Sequence, residues 1–270
     1  MLFDLPHILY MVISAIITGA IMVAAAFLLK TQRSKDSFLK FWAVITVVIH
    51  FSSIYNDYYI DKLANPELSL SMFIPAFACN VCMWLLVIVA FANKENKFIK
   101  LLCQFVALGG IVCGIVGILI NENYGAFGAD NPGVSPMTDY EIVKGLLSHS
   151  TMLAGSIYLL VGKYVKPRAL DSTIGVAIGL GTLLVDGLLV NTLNRIFGMP
   201  DVNSMYLHGA PFENTPWVNT LTIGIVGVLV AFLIGVIVEF ITLPKEERWY
   251  SRLKKKSTEI EEEEKEKITK

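Results

Sequence analysis

The sequence predicts an all-α, polytopic membrane protein: a seven-helix transmembrane bundle with its N-terminus outside and its C-terminus cytoplasmic. Three observations predict it. Hydrophobic residues make up 54% of the 270, and the mean hydropathy of +0.60 is too high for a soluble domain of this length. Charged residues are 17% and lie in short stretches between apolar runs and in the tail, so the runs themselves are almost bare. There are seven such runs, at 8–29, 41–56, 70–92, 98–120, 142–165, 174–197 and 217–243, and a spanning helix needs about 20 mainly apolar residues. None shows the period-two alternation of a membrane barrel strand.

The first run is preceded by Asp4 alone, with no basic residues ahead of it, and is followed by Lys30 and Arg33. It is too long for the apolar segment of a cleaved signal and reads as an anchor, in spite of Ala24, Ala25 and Ala26. The second run is the shortest and is interrupted by His50, Ser52 and Ser53. The third holds Cys79 and Cys82, with Pro75 one turn ahead. A proline there frees a carbonyl one turn earlier and predicts a local kink. In the fourth run Gly110 and Gly114, and in the sixth Gly175 and Gly179, have the four-residue spacing that lets helix backbones approach closely. The fifth run carries His149 and the sixth Asp186. The seventh has no lysine for a Schiff base, which excludes a retinal protein, and no run has the arginine cluster of a voltage sensor.

Orientation follows from the loops. Lys30, Arg33, Lys35 and Lys40 follow the first run; Lys94, Lys97 and Lys100 the third; Lys163, Lys166 and Arg168 the fifth. The intervening loops hold mostly acids, with Lys62, Lys144 and Arg195 the few basic residues on their side. The basic side is the cytoplasmic one. The chain is one domain, 1–244, followed by a charged cytoplasmic tail, 245–270. In the tail Trp249, Tyr250 and Leu253 interleave with Arg248, Arg252, Lys254, Lys255 and Lys256, a pattern suited to an anionic leaflet. Beyond them Glu259 and Glu261 to Glu264 form a solvated acidic run. The four cysteines, Cys79, Cys82, Cys103 and Cys113, all fall within apolar runs and read as thiols rather than a disulfide framework.

Counting along each helix at about 1.5 Å per residue puts several polar side chains at one depth. Cys79 lies about nine residues from the outer start of its run, His149 about eight, His50 a similar distance, and Asp186 about eleven. Asn80 and Asn191 fall within a turn of them. Ionisable residues at such depth are costly, about 2.5–3.5 kcal/mol for Asp near a helix centre, and usually mark function. The residues leave two readings open: a nucleophile with its base and orienting group, or a buried polar knot. Cys79, Cys82, His149 and Asp186 are also zinc-ligand types, but no histidine pair has i, i+4 spacing, and neither metal nor cofactor is expected. Two long loops, 121–141 and 198–216, lie on the same side. The second carries Asn203, Tyr206 and His208 and is placed to cover a site.

Three segments carry a resemblance: Ile74-Pro75-Ala76-Phe77-Ala78-Cys79-Asn80-Val81; Leu147-Ser148-His149 with the basic exit Lys163 to Arg168; and Asn203-Ser204-Met205-Tyr206-Leu207 with Pro211 and Pro216. Together they resemble the YwaF-type integral membrane proteins, over about three-fifths of the chain. That family is similar to an animal transmembrane acyltransferase that moves acyl chains between phospholipids, with a Cys and a His proposed as its catalytic pair. The resemblance maps those roles to Cys79 and His149. Many members carry His or Gln two residues before the Cys, where this chain has Phe77.

The function expected from these readings is a cell-membrane, multi-pass lipid acyltransferase or acyl hydrolase. Cys79 is the nucleophile, His149 the base and Asp186 the orienting group. Asn80 or Asn191 donates to the oxyanion, and His50, Asn203 and Tyr206 line the substrate site. The expected partners are membrane lipids, with no nucleic acid. The alternative is a transporter or receptor-like binding bundle in which Asp186, His50 and His149 hold a substrate or a proton.

Overall fold

The computed structural model describes residues 3–56, 77–198, 203–209 and 220–255. Among these it is all-helical: α1 (Leu5–Leu28), α2 (Gln32–Tyr55), α3 (Ala78–Phe91), α4 (Lys97–Leu119), α5 (Glu122–Asp130), α6 (Tyr140–Val161), α7 (Ala169–Ile196) and α8 (Thr220–Thr242), with short 3-10 turns between some of them. Local chemistry starts several of these helices. The side chains of Asp4, Thr31, Asn96, Asn121 and Asp139 each accept from a backbone N–H of the first turn that follows, satisfying donors the helix itself leaves unpaired.

Among the described residues four stretches are long and apolar enough to cross a membrane: Leu5–Leu28, Lys97–Asp130, Ala169–Ile196 and Leu221–Thr242. The chain is a membrane protein with several apolar helices. Helix α3 is apolar but 14 residues long, while α2 and α6 have 24 and 22 residues and carry more polar side chains. Packing explains that polarity. α6 touches α1, α2, α3 and α4, and it buries Ser148, Ser156 and Tyr158 among them. A helix shielded from lipid by its neighbours is free to carry polar groups. The edge helices do the reverse: α1 exposes Ile16, Phe27 and Leu28, and α8 exposes Leu221, Leu233 and Ile241. An apolar surface of that extent belongs against hydrocarbon.

The glycine spacings read from sequence are helix-packing sites. A Cβ at Gly110 would overlap Ser156, and one at Gly114 would press on Leu153, so α4 presents a groove to α6. Gly175 and Gly179 do the same for Gln104 and Phe105, seating α7 on the other side of α4. Helix α4 therefore lies between α6 and α7, and α8 packs on α7.

Two sequence expectations change. The third run was expected to be helical over 70–92, but among the described residues its helix starts at Ala78, after Phe77 in extended conformation (φ −129°, ψ 154°). Cys79 is thus the second residue of α3, and the start of the run, 70–76, lies outside the described residues. The loop 121–141 is not an open connector: Asn121 caps α5, and Ser135 starts a 3-10 turn over Pro136–Thr138. Pro75, the start of the seventh run, the acidic end of the tail, and 199–202 and 210–216 of the second long loop lie outside the described residues.

The loops divide between the two ends of the bundle. At one end Asp36 accepts from Tyr164 at 2.6 Å and from Gln32 at 2.9 Å, with Lys94 3.9 Å away. There too Glu239, fully buried on α8, accepts from the backbone N–H of Ala169 at 3.1 Å and of Trp249 at 2.6 Å, and pairs with Arg252 at 2.7 Å. This carboxylate caps α7 and ties the start of the tail to the bundle. At the other end lie the N-termini of α1, α3 and α6, the C-termini of α2, α4 and α7, and residues 203–209.

Candidate functional site

Cys79 stands in the first turn of α3, where no side chain caps the helix. The first amide to bond back is that of Val81, to Phe77 O at 3.1 Å, so the amides before it have no partner within the helix. Those of Cys79 and Asn80 face the thiol. Cys79 Sγ donates to Asn80 Oδ1 at 3.4 Å, which orients the amide group of Asn80 beside the thiol. This arrangement sets backbone donors beside the thiol, the kind of geometry an oxyanion needs.

His149 lies on α6 with its ring against α4. Its Nδ1 is 2.7 Å from the carbonyl oxygen of Gly145. A carbonyl only accepts, so Nδ1 carries the proton and Nε2 is left with its lone pair. That Nε2 edge rests on Gly117, where a Cβ would overlap the ring. Gly110, Gly114 and Gly117 form one ridge that receives Ser156, Leu153 and His149 in turn. One turn before Gly117, Cys113 is a near neighbour of Cys82 and of Cys79. Helix α4 thus carries, one turn apart, the neighbour of the α3 thiols and the glycine under the His149 ring. No hydrogen bond joins Cys79 to His149 among the described residues. All four cysteines are free thiols.

Residues 203–209 bring the third segment of the resemblance to the first. Asn191 accepts from Ser204 N at 2.8 Å and donates to Ser204 O at 3.2 Å. Met205 and Leu207 pack on Gly187. The ring of Tyr206 meets that of Phe77, with centroids 5.9 Å apart. Asn203, Met205 and Tyr206 all have positive φ, at 45°, 55° and 53°, a conformation that costs non-glycine residues on the order of 1 kcal/mol each and is kept only where the surroundings enforce it. Asn203 closes the turn through His208 N at 2.9 Å and Gly209 O at 3.1 Å.

Three expected roles take a different form here. Asn191, expected as an oxyanion donor, spends both ends of its amide on Ser204. Asn203 is bonded within its own loop. The imidazole of His149 is oriented by Gly145, not by Asp186, whose buried Oδ2 has no hydrogen-bond partner among the described residues. The reason is the position of α4 between α6 and α7: equal depth did not imply equal side. His50 is close enough to Lys144, His149 and Glu141 to feel their charges, and Lys144 bonds Ser53 and Glu141 beside it. Among the described residues no three His, Cys, Asp or Glu side chains are grouped to hold a metal ion. Sequence reasoning missed Gly117 and the Gly145 carbonyl. Gly117 continues the Gly110 and Gly114 spacing by three residues, which was the available signal; a backbone carbonyl leaves none.

The sequence model of the TMEM164 family matches residues 2–238. Neither a curated protein nor a solved structure matches the chain significantly.

Proposed function

The chain belongs to the TMEM164 family, and on that premise we propose that it is a seven-span, outside-to-cytoplasm membrane acyltransferase, or acyl hydrolase, working on lipid esters with a Cys nucleophile and a His base. In this reading His149 Nε2 takes the proton of the Cys79 thiol as sulfur attacks the ester carbonyl carbon. The oxyanion is met by first-turn amides of α3 and by the amide of Asn80. The tetrahedral intermediate collapses, the carbon–oxygen bond breaks, and the leaving alkoxide takes the proton from the imidazolium. An acyl-thioester is left on Cys79. An acceptor hydroxyl, or water, then gives its proton to His149 and attacks the thioester; the carbon–sulfur bond breaks and the thiolate is reprotonated.

The observation that supports this reading is the hydrogen bond from His149 Nδ1 to the Gly145 carbonyl, which leaves Nε2 unprotonated. Catalytic contacts are often long before substrate binds, which is consistent with Cys79 and His149 being unbonded at rest. Purified protein in vesicles is expected to exchange acyl chains between lipids, and Cys79→Ala and His149→Gln to abolish exchange while the protein stays folded. A hydroxylamine-sensitive acyl adduct should map to Cys79. Undiminished exchange by Cys79→Ala would end the proposal.

A second reading has one observation in its favour: the buried, unpartnered Oδ2 of Asp186. A binding or transport bundle would use Asp186 with His50 and His149 and no covalent step. It predicts that Asp186→Asn damages function more than Cys79→Ala, and that acyl probes leave Cys79 unlabelled.

A further inference from the structure

Beside residues 203–209, at the end of α7, lies a cavity of about 620 Å³ lined by Leu188, Asn191, Thr192, Asn194, Arg195 and His208 among others. Among the described residues that line it there is no acidic side chain. Arg195 brings a guanidinium that has no ion-pair partner among the described residues. Its place in the last turn of α7 could be explained by helix-end carbonyls, which favour a cation. Those of Leu193 and Arg195 are already taken by Phe197 N and Gly198 N, so the guanidinium is not needed there. Asn194 is 6% exposed, and its amide makes no hydrogen bond among the described residues. Its amide reaches the cavity and is open to pair with a ligand there.

The donors suit one chemistry. A guanidinium, a carboxamide and a threonine hydroxyl line it with no carboxylate among the described residues, and a phosphate offers several charged oxygens to such a set. Leu188 and Ile196 add apolar walls. The position relative to Cys79 is set by the loop. His208, in the cavity wall, is two residues from Tyr206, a span of about 7 Å at most. Tyr206 in turn lies on Phe77, two residues before Cys79.

We propose that this cavity holds the phosphodiester of a membrane phospholipid and so presents the ester of that same molecule to Cys79. The assignment rests on the acyltransferase reading for its consequence but not for its test. Full-length protein in nanodiscs is photolabelled with a phosphatidylcholine carrying a diazirine on its headgroup, and in parallel with a diacylglycerol carrying the same group. Peptides covering 188–196 and 203–209 are then quantified. The phospholipid probe should label them in the wild type and equally in Cys79→Ala, because binding precedes the covalent step. Arg195→Gln and Asn194→Leu should each lower labelling about tenfold, the loss expected of a charge-assisted hydrogen bond, and Arg195→Lys should retain part of it. The diacylglycerol probe should label weakly and without regard to Arg195. Excess glycerophosphocholine should not displace the lipid probe. Wild-type labelling of Arg195→Gln, equal labelling by the phosphate-free probe, or displacement by the water-soluble phosphodiester would each overturn the assignment. Loss of acyl exchange in Cys79→Ala with labelling intact separates this proposal from the catalytic one.

Discussion

Phe77 and Tyr206 pack ring against ring at 5.9 Å, joining the residue before α3 to the left-handed turn at 203–206. This contact gives Phe77 a packing role. It sets the last extended residue before the helix that starts with Ala78 and Cys79, and it holds Tyr206 in a backbone conformation that it would not adopt unaided. Aromatic pairs contribute about 0.5–1.5 kcal/mol beyond their buried area. Phe77→Ala and Tyr206→Ala should therefore show a coupling of that order in a double-mutant cycle of unfolding in detergent. Strict additivity would mean that the contact carries no energy.

The second prediction tests the base role proposed for His149. Gly117→Ala would put a Cβ into the His149 ring and displace Nε2 without touching its chemistry. A misplacement of about 1 Å is enough to cost on the order of 10²-fold in rate, and that loss is expected in acyl exchange. Gly181→Ala is the control, since a Cβ there meets nothing within 4 Å, and a mid-helix Gly to Ala change is neutral or stabilising by up to about 1 kcal/mol. If Gly117→Ala exchanges acyl chains as fast as Gly181→Ala, His149 is not the base.

Much of this was legible in the residues, and the limits are physical. Apolar runs and capping residues such as Asp139 and Asn96 locate helices because they act locally. Depth can be counted from sequence, so Cys79, His149 and Asp186 could be assigned to one end of the bundle. Depth carries no information about which helix stands between two others, and α4 separates Asp186 from His149. The helix start at Ala78 was hidden because Phe77 is as apolar as its neighbours and caps nothing. Glu239 lies within the seventh apolar run, and what pairs with it there is Ala169, seventy residues away.

Glu239 carries the third prediction. Its carboxylate is fully buried, while Arg252 is about one-third exposed, and it also holds two backbone amides. Removing one partner of a buried pair costs about 3–5 kcal/mol because the other is left uncompensated. Glu239→Ala should lower the unfolding midpoint sharply and speed tryptic cleavage at Arg248 and Arg252, while Glu239→Gln, which can still accept one amide, should lose less. Unchanged proteolysis in Glu239→Ala would show that the tail is held by other contacts.

The fourth prediction is a pH dependence at the same end of the bundle. Burial pulls the Asp36 carboxyl upward, but the hydrogen bonds from Tyr164 and Gln32 and the charges of Lys94 and Lys40 outweigh it, and its pKa falls below the ordinary 3.8. A carboxyl that binds its proton less readily when folded contributes stability that is complete above the unfolded value and is lost as pH falls through the lower, folded one. Stability should thus hold level from neutral pH down to about pH 5 as far as this group is concerned, and fall below 3.8. Asp36→Asn should be less stable at pH 7, having lost an ionised acceptor for Tyr164, and should show a shallower decline in acid. Tyr164→Phe should act in the same direction by removing the largest of the favourable contacts. The check is the unfolding midpoint of the three proteins in detergent between pH 3 and pH 7. An acid limb in Asp36→Asn as steep as that of the wild type would assign the acid sensitivity to other carboxylates and leave Asp36 as an exposed surface charge.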